Sequence, residues 1–194
     1  VILAIDTTRE WGSLYLDGEE LSMHAPAGFS GVLFAEIDRL LKRRGVSLEQ
    51  IECFATAIGP GTFTGVRVGM SAAMGLAEAL AKRVCAVSNL EALAEFGTSA
   101  LRAVTIDARR GDIYAAVYSY EGAIVVPERV TTPGQFRASL PTGEIEWVRH
   151  EGPLAGAIAK IARRKPWTDP SSIEANYLRR TDAELNLGVT STPL

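Results

Sequence analysis

Apolar residues along this chain fall into short blocks whose spacing changes from one block to the next. Val1 to Ile5 is a continuous apolar run rich in branched side chains, closed by Asp6-Thr7-Thr8, and reads as a buried strand. Gly12 to Leu16 and Glu20 to His24 flank Asp17-Gly18, a dipeptide that accepts the positive φ angles of a two-residue hairpin. Three consecutive antiparallel strands are therefore predicted. The period then lengthens: Leu33, Ile37, Leu40, Leu41 and Arg44 recur on one helical face, with a cap near Ser30 and a stop at Gly45. Val32 and Phe34 lie off that stripe, so this helix carries apolar surface on more than its core side.

Ile51 to Ile58 has the unbroken apolarity of a strand buried on both faces. It runs into Gly59-Pro60-Gly61-Thr62-Phe63-Thr64-Gly65-Val66-Arg67 and then a helix to about Ala81. Val84 to Val87 reads as a strand, and Ser88-Asn89-Leu90-Glu91 as a capping box opening a helix through Phe96. A second β segment begins at Ala103 to Ile106. It continues through Ile113 to Tyr120, a turn at Glu121-Gly122, and Ala123 to Val130. Thr132-Pro133 starts a helix, Ile145 to Val148 forms a strand, and Leu154 to Arg164 a short helix. The β-then-α order recurs, giving a mixed α/β protein with an N-terminal lobe over 1–100, a smaller lobe over 101–181, and a flexible tail over 182–194.

Composition narrows the class. With 47% apolar residues and a net charge of −3, a disordered chain is excluded, and no global basic field recruits nucleic acid. Two cysteines, each inside an apolar run, give no disulfide framework and suit a reducing, cytoplasmic home. No apolar run reaches the ~18–20 residues that span a bilayer, so no membrane association is expected.

Candidate chemistry centres on two stretches. Asp6, Thr7 and Thr8 close a strand, where a carboxylate and two hydroxyls suit Mg²⁺ and phosphate; turn initiation explains the same residues. The glycine loop either offers free N–H groups to an anion or makes a tight strand-to-helix turn that permits close packing, and spacing alone leaves both open. It is not a Walker A loop, because Val66-Arg67 follows the last glycine. The helix after it is small or apolar nearly all round, which implies either complete burial or an outer face that meets another protein, with Met70 and Met74 as adaptable contacts. Two histidines far apart, with no His-x-x-x-His, offer no metal site, and a metallopeptidase is rejected for want of a ligand set. Asp107 with Arg109 and Arg110, the basic run Lys160 to Lys165, and the pair Arg179-Arg180 are read as solvated charge or as anion and RNA contacts.

Ile2 to Thr8, Gly59 to Gly69, Asp107-Ala108-Arg109 before Tyr114, and Asn176-Tyr177-Leu178-Arg179 together resemble the bacterial TsaB (YeaZ) family. The resemblance implies the actin-like ATPase (ASKHA, ribonuclease H-like) fold, with two lobes, each a mixed five-stranded sheet flanked by helices. It implies no catalytic residues. The role would be that of a non-catalytic scaffold for a homologous TsaD-like enzyme making N6-threonylcarbamoyladenosine (t6A) in tRNA. A TsaE-like ATPase would bind the pair, a homodimer would form when the chain is alone, and tRNA would be met only through the complex. Mapping the family's helical-bundle interface onto this chain points to Val32, Phe34, Met70, Ala73, Met74 and Ala77. No cofactor of its own follows, beyond weak ATP or ADP at the subunit junction near Asp6, Thr7 and Thr8. The chain departs from the family where Phe29-Ser30-Gly31 stands in place of His-Ser-Glu, and the stretch from Thr131 to Leu154 is short enough to imply a lost element. An independent nucleotide-dependent phosphotransferase on the same fold is the alternative, with Asp6 holding Mg²⁺-phosphate.

Overall fold

A computed structural model describes residues 1–178. Two mixed sheets organise it. The first has the order β3-β2-β1-β4-β5, from β1 (Ile2–Asp6), β2 (Trp11–Leu16), β3 (Glu19–His24), β4 (Cys53–Ala57) and β5 (Arg83–Val87). β1 pairs antiparallel with β2 and parallel with β4, so the apolar opening run lies at the centre of the sheet. The hairpin falls where expected, with Asp17 at φ 46° and Gly18 at φ 88°. The second sheet has the order β8-β7-β6-β9, from β6 (Leu101–Asp107), β7 (Ile113–Ser119), β8 (Ile124–Thr131) and β9 (Glu146–Val148). Among the described residues it has four strands, one fewer than the resemblance implies.

Strand alternation sorts the core into layers. Leu3, Ile5 and Phe54 face one side of the first sheet and pack with α1 (Leu33–Arg44) and α2 (Phe63–Ala79). Ile2, Ala4, Cys53 and Ala55 face the other side and meet α5 (Ala155–Ala162). That same cluster takes in α3 (Asn89–Ala94) and the inner face of the second sheet through Val104, Ala116 and Tyr118. α4 (Pro133–Ala138) covers the far side of the second sheet, with Phe136 fully buried among Ala103, Ala115 and Val117. The two central helices are thus exchanged relative to chain order: α3, from the first half, packs on β6 and β7, while α5, from the second, packs on β1 and β4.

Local departures from the expected elements have identifiable causes. The helix predicted to cap near Ser30 begins instead at Leu33, behind a 3₁₀ turn over Phe29–Gly31; the buried Phe29 ring holds that turn against the core. Arg44, placed on the apolar stripe, is exposed and donates to Asp17 at 3.1 Å. Ser88 caps α3 by accepting from the Leu90 N–H, but the reciprocal half of the box is missing, because Glu91 is drawn to Lys165 at 2.5 Å. Among the described residues, no helix is long and apolar enough to cross a membrane.

Cys53 and Cys85 lie on adjacent strands of the central layer, where burial pushes their thiols up to about 12 and about 11. Thiolate is the reactive form, so neither is expected to react with a thiol reagent at mildly alkaline pH until the chain unfolds. A labelling time course with and without denaturant, read by intact mass, checks this.

Candidate functional site

At the carboxyl end of β1 the chain makes a dense hydrogen-bond hub. Asp6, Thr7 and Thr8 are all buried. Asp6 accepts from the Thr8 N–H at 2.9 Å and from the Thr8 hydroxyl at 2.6 Å, while its second oxygen lies 3.4 Å from Arg9. The Thr8 hydroxyl in turn accepts from the Asn89 amide, whose oxygen accepts from the Gly59 N–H at 3.2 Å. Thr7 donates its hydroxyl to the Gly65 carbonyl at 2.6 Å, and the Thr8 carbonyl accepts from the Thr62 N–H at 2.7 Å. The polar atoms of these three side chains bind β1 to the glycine loop and to α3.

The same geometry decides what the loop does. A Cβ on Gly61 would stand 2.6 Å from the Thr8 carbonyl oxygen, and one on Gly65 would run into the Thr7 carbonyl. These glycines are small so that two backbones can touch, which is the close-packing reading of the loop. Thr62 caps α2 by accepting from the Gly65 N–H at 3.2 Å, and so takes up one of the helix's free donors. Gly59 and Pro60, joined by a cis peptide bond, start the turn; Phe63, Thr64 and Arg67 stand on its exposed side.

On that exposed side the C-terminal segment crosses the loop. The Arg67 guanidinium lies 3.6 Å over the Phe63 ring, and its Nε donates to the Tyr177 hydroxyl at 3.0 Å. Asn176 donates its backbone N–H to Ile58 and its side-chain amide to Glu128, at 2.8 and 2.5 Å. Glu128 also accepts from the Tyr118 hydroxyl. Burial, with the Glu128 carboxylate beside it, drives the Tyr118 phenol well above its ordinary value, so it remains a donor. The asparagine-tyrosine motif is in this way a clamp joining β8 to the loop.

α1 and α2 leave an open face beside the clamp. A cavity of about 330 Å³ lies between them, lined by Ser30, Leu33, Phe34, Arg67, Val68, Ser71 and Ala72. Phe34 is 57% exposed and Val32 39%. Three residues assigned to this surface do not reach it. Ala73 and Ala77 are wholly buried and Met70 nearly so, because they occupy the α2 face turned to the first sheet. Met74 is half-buried at the edge. The outer stripe of α2 is Arg67, Ser71, Gly75 and Glu78.

Other candidates resolve differently. Asp107 accepts from the Arg109 backbone N–H at 2.7 Å in a turn whose Arg109 and Arg110 both have positive φ. The basic run is largely neutralised: Lys160 and Arg164 flank Glu95, and Lys165 meets Glu91. Arg179 and Arg180, and the tail over 182–194, lie outside the described residues. His24 is stacked on the exposed Trp11 with ring centroids 4.3 Å apart. A cleft of about 300 Å³ between the sheets is lined by Arg9, Trp11, Ile106, His150 and Leu154 among others. Among the described residues, no group of three His, Cys, Asp or Glu side chains is placed to hold a metal ion.

Burial pushes the Glu95 carboxyl up, but Arg164 and Lys160 outweigh it and hold it below the ordinary carboxylate value. A depressed carboxylate contributes stability that is present above the unfolded-state value of about 4.3 and is lost as pH falls through the folded value. Glu95→Gln is expected to be less stable than wild type near neutral pH, with the gap closing below about pH 4. Urea midpoints measured across that range check it.

Sequence reasoning missed three structural residues. Asn89 sat inside a proposed helix start, yet it is the cross-link between Thr8 and Gly59. Glu128 carried no motif at all. Arg102 is 2% exposed and donates to the carbonyls of Ala94 at 2.7 Å, Gly97 at 3.4 Å and Ser119, closing the end of α3. Only its position inside an apolar strand could have flagged it, as a charge that must find partners.

With its two mixed sheets and their helical layers, the chain is a two-lobed α/β protein of the actin-like ATPase class. The family model described as tRNA N6-adenosine threonylcarbamoyltransferase, TsaD, matches residues 25–173. YeaZ from Pseudomonas aeruginosa superimposes with a TM-score of 0.73 at 26% identity, covering 91% of this chain and 99% of that one. The tRNA threonylcarbamoyladenosine biosynthesis protein TsaB of Haemophilus influenzae is 36% identical over 121 residues, covering 58% of this chain and 51% of that protein. Its Bacillus subtilis namesake is 33% identical over 138 residues, covering 66% of this chain and 60% of that protein. The chain thus spans between 51% and 60% of the length of these curated relatives. It belongs to the TsaD-type threonylcarbamoyltransferase family and, within it, to the TsaB (YeaZ) group.

Proposed function

We propose that this chain is a non-catalytic subunit for t6A formation, binding and stabilising a TsaD-like threonylcarbamoyltransferase through the open face of α1 and α2. The observation that carries this reading is the apolar groove between those helices, with Phe34 and Val32 left in water beside it. Exposed apolar side chains gathered at one groove mark a surface that another protein covers. The inward-turned Asp6, Thr7 and Thr8 agree with a part that supports chemistry done elsewhere. The names carried by the TsaB relatives support the pathway. A TsaE-like ATPase would join the assembled pair, and tRNA would be engaged by the complex.

Light scattering on a mixture of this chain with the TsaD-like protein of the same source tests the pairing, and threonylcarbamoyl transfer to tRNA with and without this chain tests its purpose. Phe34→Glu is expected to abolish the pair while leaving thermal stability near wild type, since the side chain is already exposed. A complex that survives Phe34→Glu would overturn the assignment of this face. Changes at Ala73 or Ala77 would not serve, since they would disrupt the core instead.

A further inference from the structure

The cleft between the two sheets has two walls, each faced with a pair of stacked rings. On one side Trp11, first in β2, lies against His24, its neighbour across the ladder in β3, and is 57% exposed. On the other, His150 is stacked on Phe96 with ring centroids 3.4 Å apart, and its Nε2 donates to the Pro153 carbonyl at 3.0 Å. Trp11 and His150 both line the cavity of about 300 Å³, and Leu93, Ile106 and Leu154 supply its apolar surface. Cross-links hold the walls together. Arg9 donates to the Gly152 carbonyl at 2.9 Å, and the Ser13 hydroxyl accepts from the N–H groups of Leu154 and Ala155 at 3.2 and 3.0 Å. The cleft is therefore preformed, and a guest would require little rearrangement of it.

The charges around this cavity do not balance. Arg9 lies 3.4 Å from the buried Asp6 carboxylate, so its charge is already answered inside the protein. Glu10 and Glu151 also line the cavity and are exposed; Glu10 has only His24 nearby, at 3.4 Å, and Glu151 has no hydrogen bond or ion pair among the described residues. A ring entering the cavity would pack against Trp11 and His150, and positive charge beside that ring would meet two carboxylates. We propose that this cleft docks an extended peptide segment of another protein, anchored by one aromatic side chain with Lys or Arg on either side of it. A single ring in a preformed pocket is the kind of anchor that dominates an interface, and a basic neighbour can also lie over the exposed indole. A nucleic-acid strand could offer an unstacked base to the same rings, but its phosphates would face Glu10 and Glu151, which is repulsive. Leu93 and Leu154 belong to the layer on the other side of the first sheet from α1 and α2, so this site is independent of the face assigned to the TsaD-like protein.

A chemical-shift titration of the full chain with capped synthetic peptides tests it. Gly-Lys-Phe-Arg-Gly should bind with a dissociation constant of ~1 mM or tighter and should move the indole N–H signal of Trp11, not those of Trp147 and Trp167. Replacing its ring, in Gly-Lys-Ala-Arg-Gly, or reversing its charge, in Gly-Glu-Phe-Glu-Gly, should weaken binding about tenfold. Trp11→Ala should weaken the first peptide by a similar factor. The double variant Glu10→Lys with Glu151→Lys should exchange the preference and take the glutamate peptide over the basic one, a gain that also shows that the variant folds. Phe34→Glu should bind the basic peptide as wild type does. The proposal is overturned if no saturable binding is seen up to ~10 mM, if a different indole signal moves, or if the glutamate peptide binds wild type as tightly as the basic one. It is overturned equally if Trp11→Ala changes nothing, if Phe34→Glu abolishes binding, or if single-stranded oligouridylate binds the cleft where the peptide does not.

Discussion

Gly65→Ala is expected to cost most of the chain's stability, although alanine is the better helix former by ~1 kcal/mol. The added methyl would occupy the space of the Thr7 carbonyl oxygen and would also press on the Thr62 hydroxyl. Neither neighbour is the yielding end of a long side chain. The Thr7 backbone belongs to the hub that joins the end of β1 to α2, and Thr62 is the cap of that helix. Relief would require α2 to lift from β1 and β4, the centre of the first sheet. Overpacking in a core costs ~1–3 kcal/mol where side chains can adjust, and more is expected where only backbone can give. Gly75→Ala is the matched control: it changes the same helix by the same methyl, in open space, and should raise stability by ~1 kcal/mol. Urea denaturation of both variants reads the two signs, and a Gly65→Ala protein as stable as wild type would refute the close-packing account of the loop.

Arg102→Met should have the second largest effect. The guanidinium serves carbonyls at the end of α3 and on β7 from a position almost sealed from water. Methionine keeps much of the length and removes every donor. Each buried acceptor left unpaired costs ~1–3 kcal/mol, so a loss of ~3 kcal/mol is expected out of a total of ~5–15 kcal/mol. Arg102→Lys should recover only part of this, since a single ammonium cannot span the same fork of acceptors. Equilibrium denaturation checks the order wild type, lysine, methionine.

How far the sequence could be read depended on whether the deciding contacts were local. The unbroken apolar runs at Ile2 to Ile5 and Ile51 to Ile58, and the 3.6-residue stripe Leu33-Ile37-Leu40-Leu41, give strands and a helix because each pattern is complete within a few residues. The orientation of α2 was not legible in the same way. Its residues are small on nearly every side, so nothing in the pattern distinguishes Ala73, which faces the sheet, from Ser71, which faces water. The inward turn of Asp6 to Thr8 was hidden for another reason: the partner that closes the hub, Asn89, lies 81 residues along the chain from Thr8. Glycine spacing was equally silent, since a loop that cradles an anion and one that admits a neighbouring backbone need the same residue. The basic run near α5 showed its charges but not the buried Glu91 and Glu95 that await them.

The exchange of α3 and α5 between the sheets also sets a timetable for a nascent chain. By the time α3 has left the ribosome every strand of the first sheet has been made, yet one side of β1 and β4 still lacks its cover, because α5 is synthesised some 60 residues later. The early half must therefore wait with Ile2, Ala4 and Ala55 uncovered, and the two halves finish folding together. A polypeptide ending near residue 100 should accordingly engage chaperones or aggregate, whereas synthesis through residue 162 should release a chain that resists proteolysis.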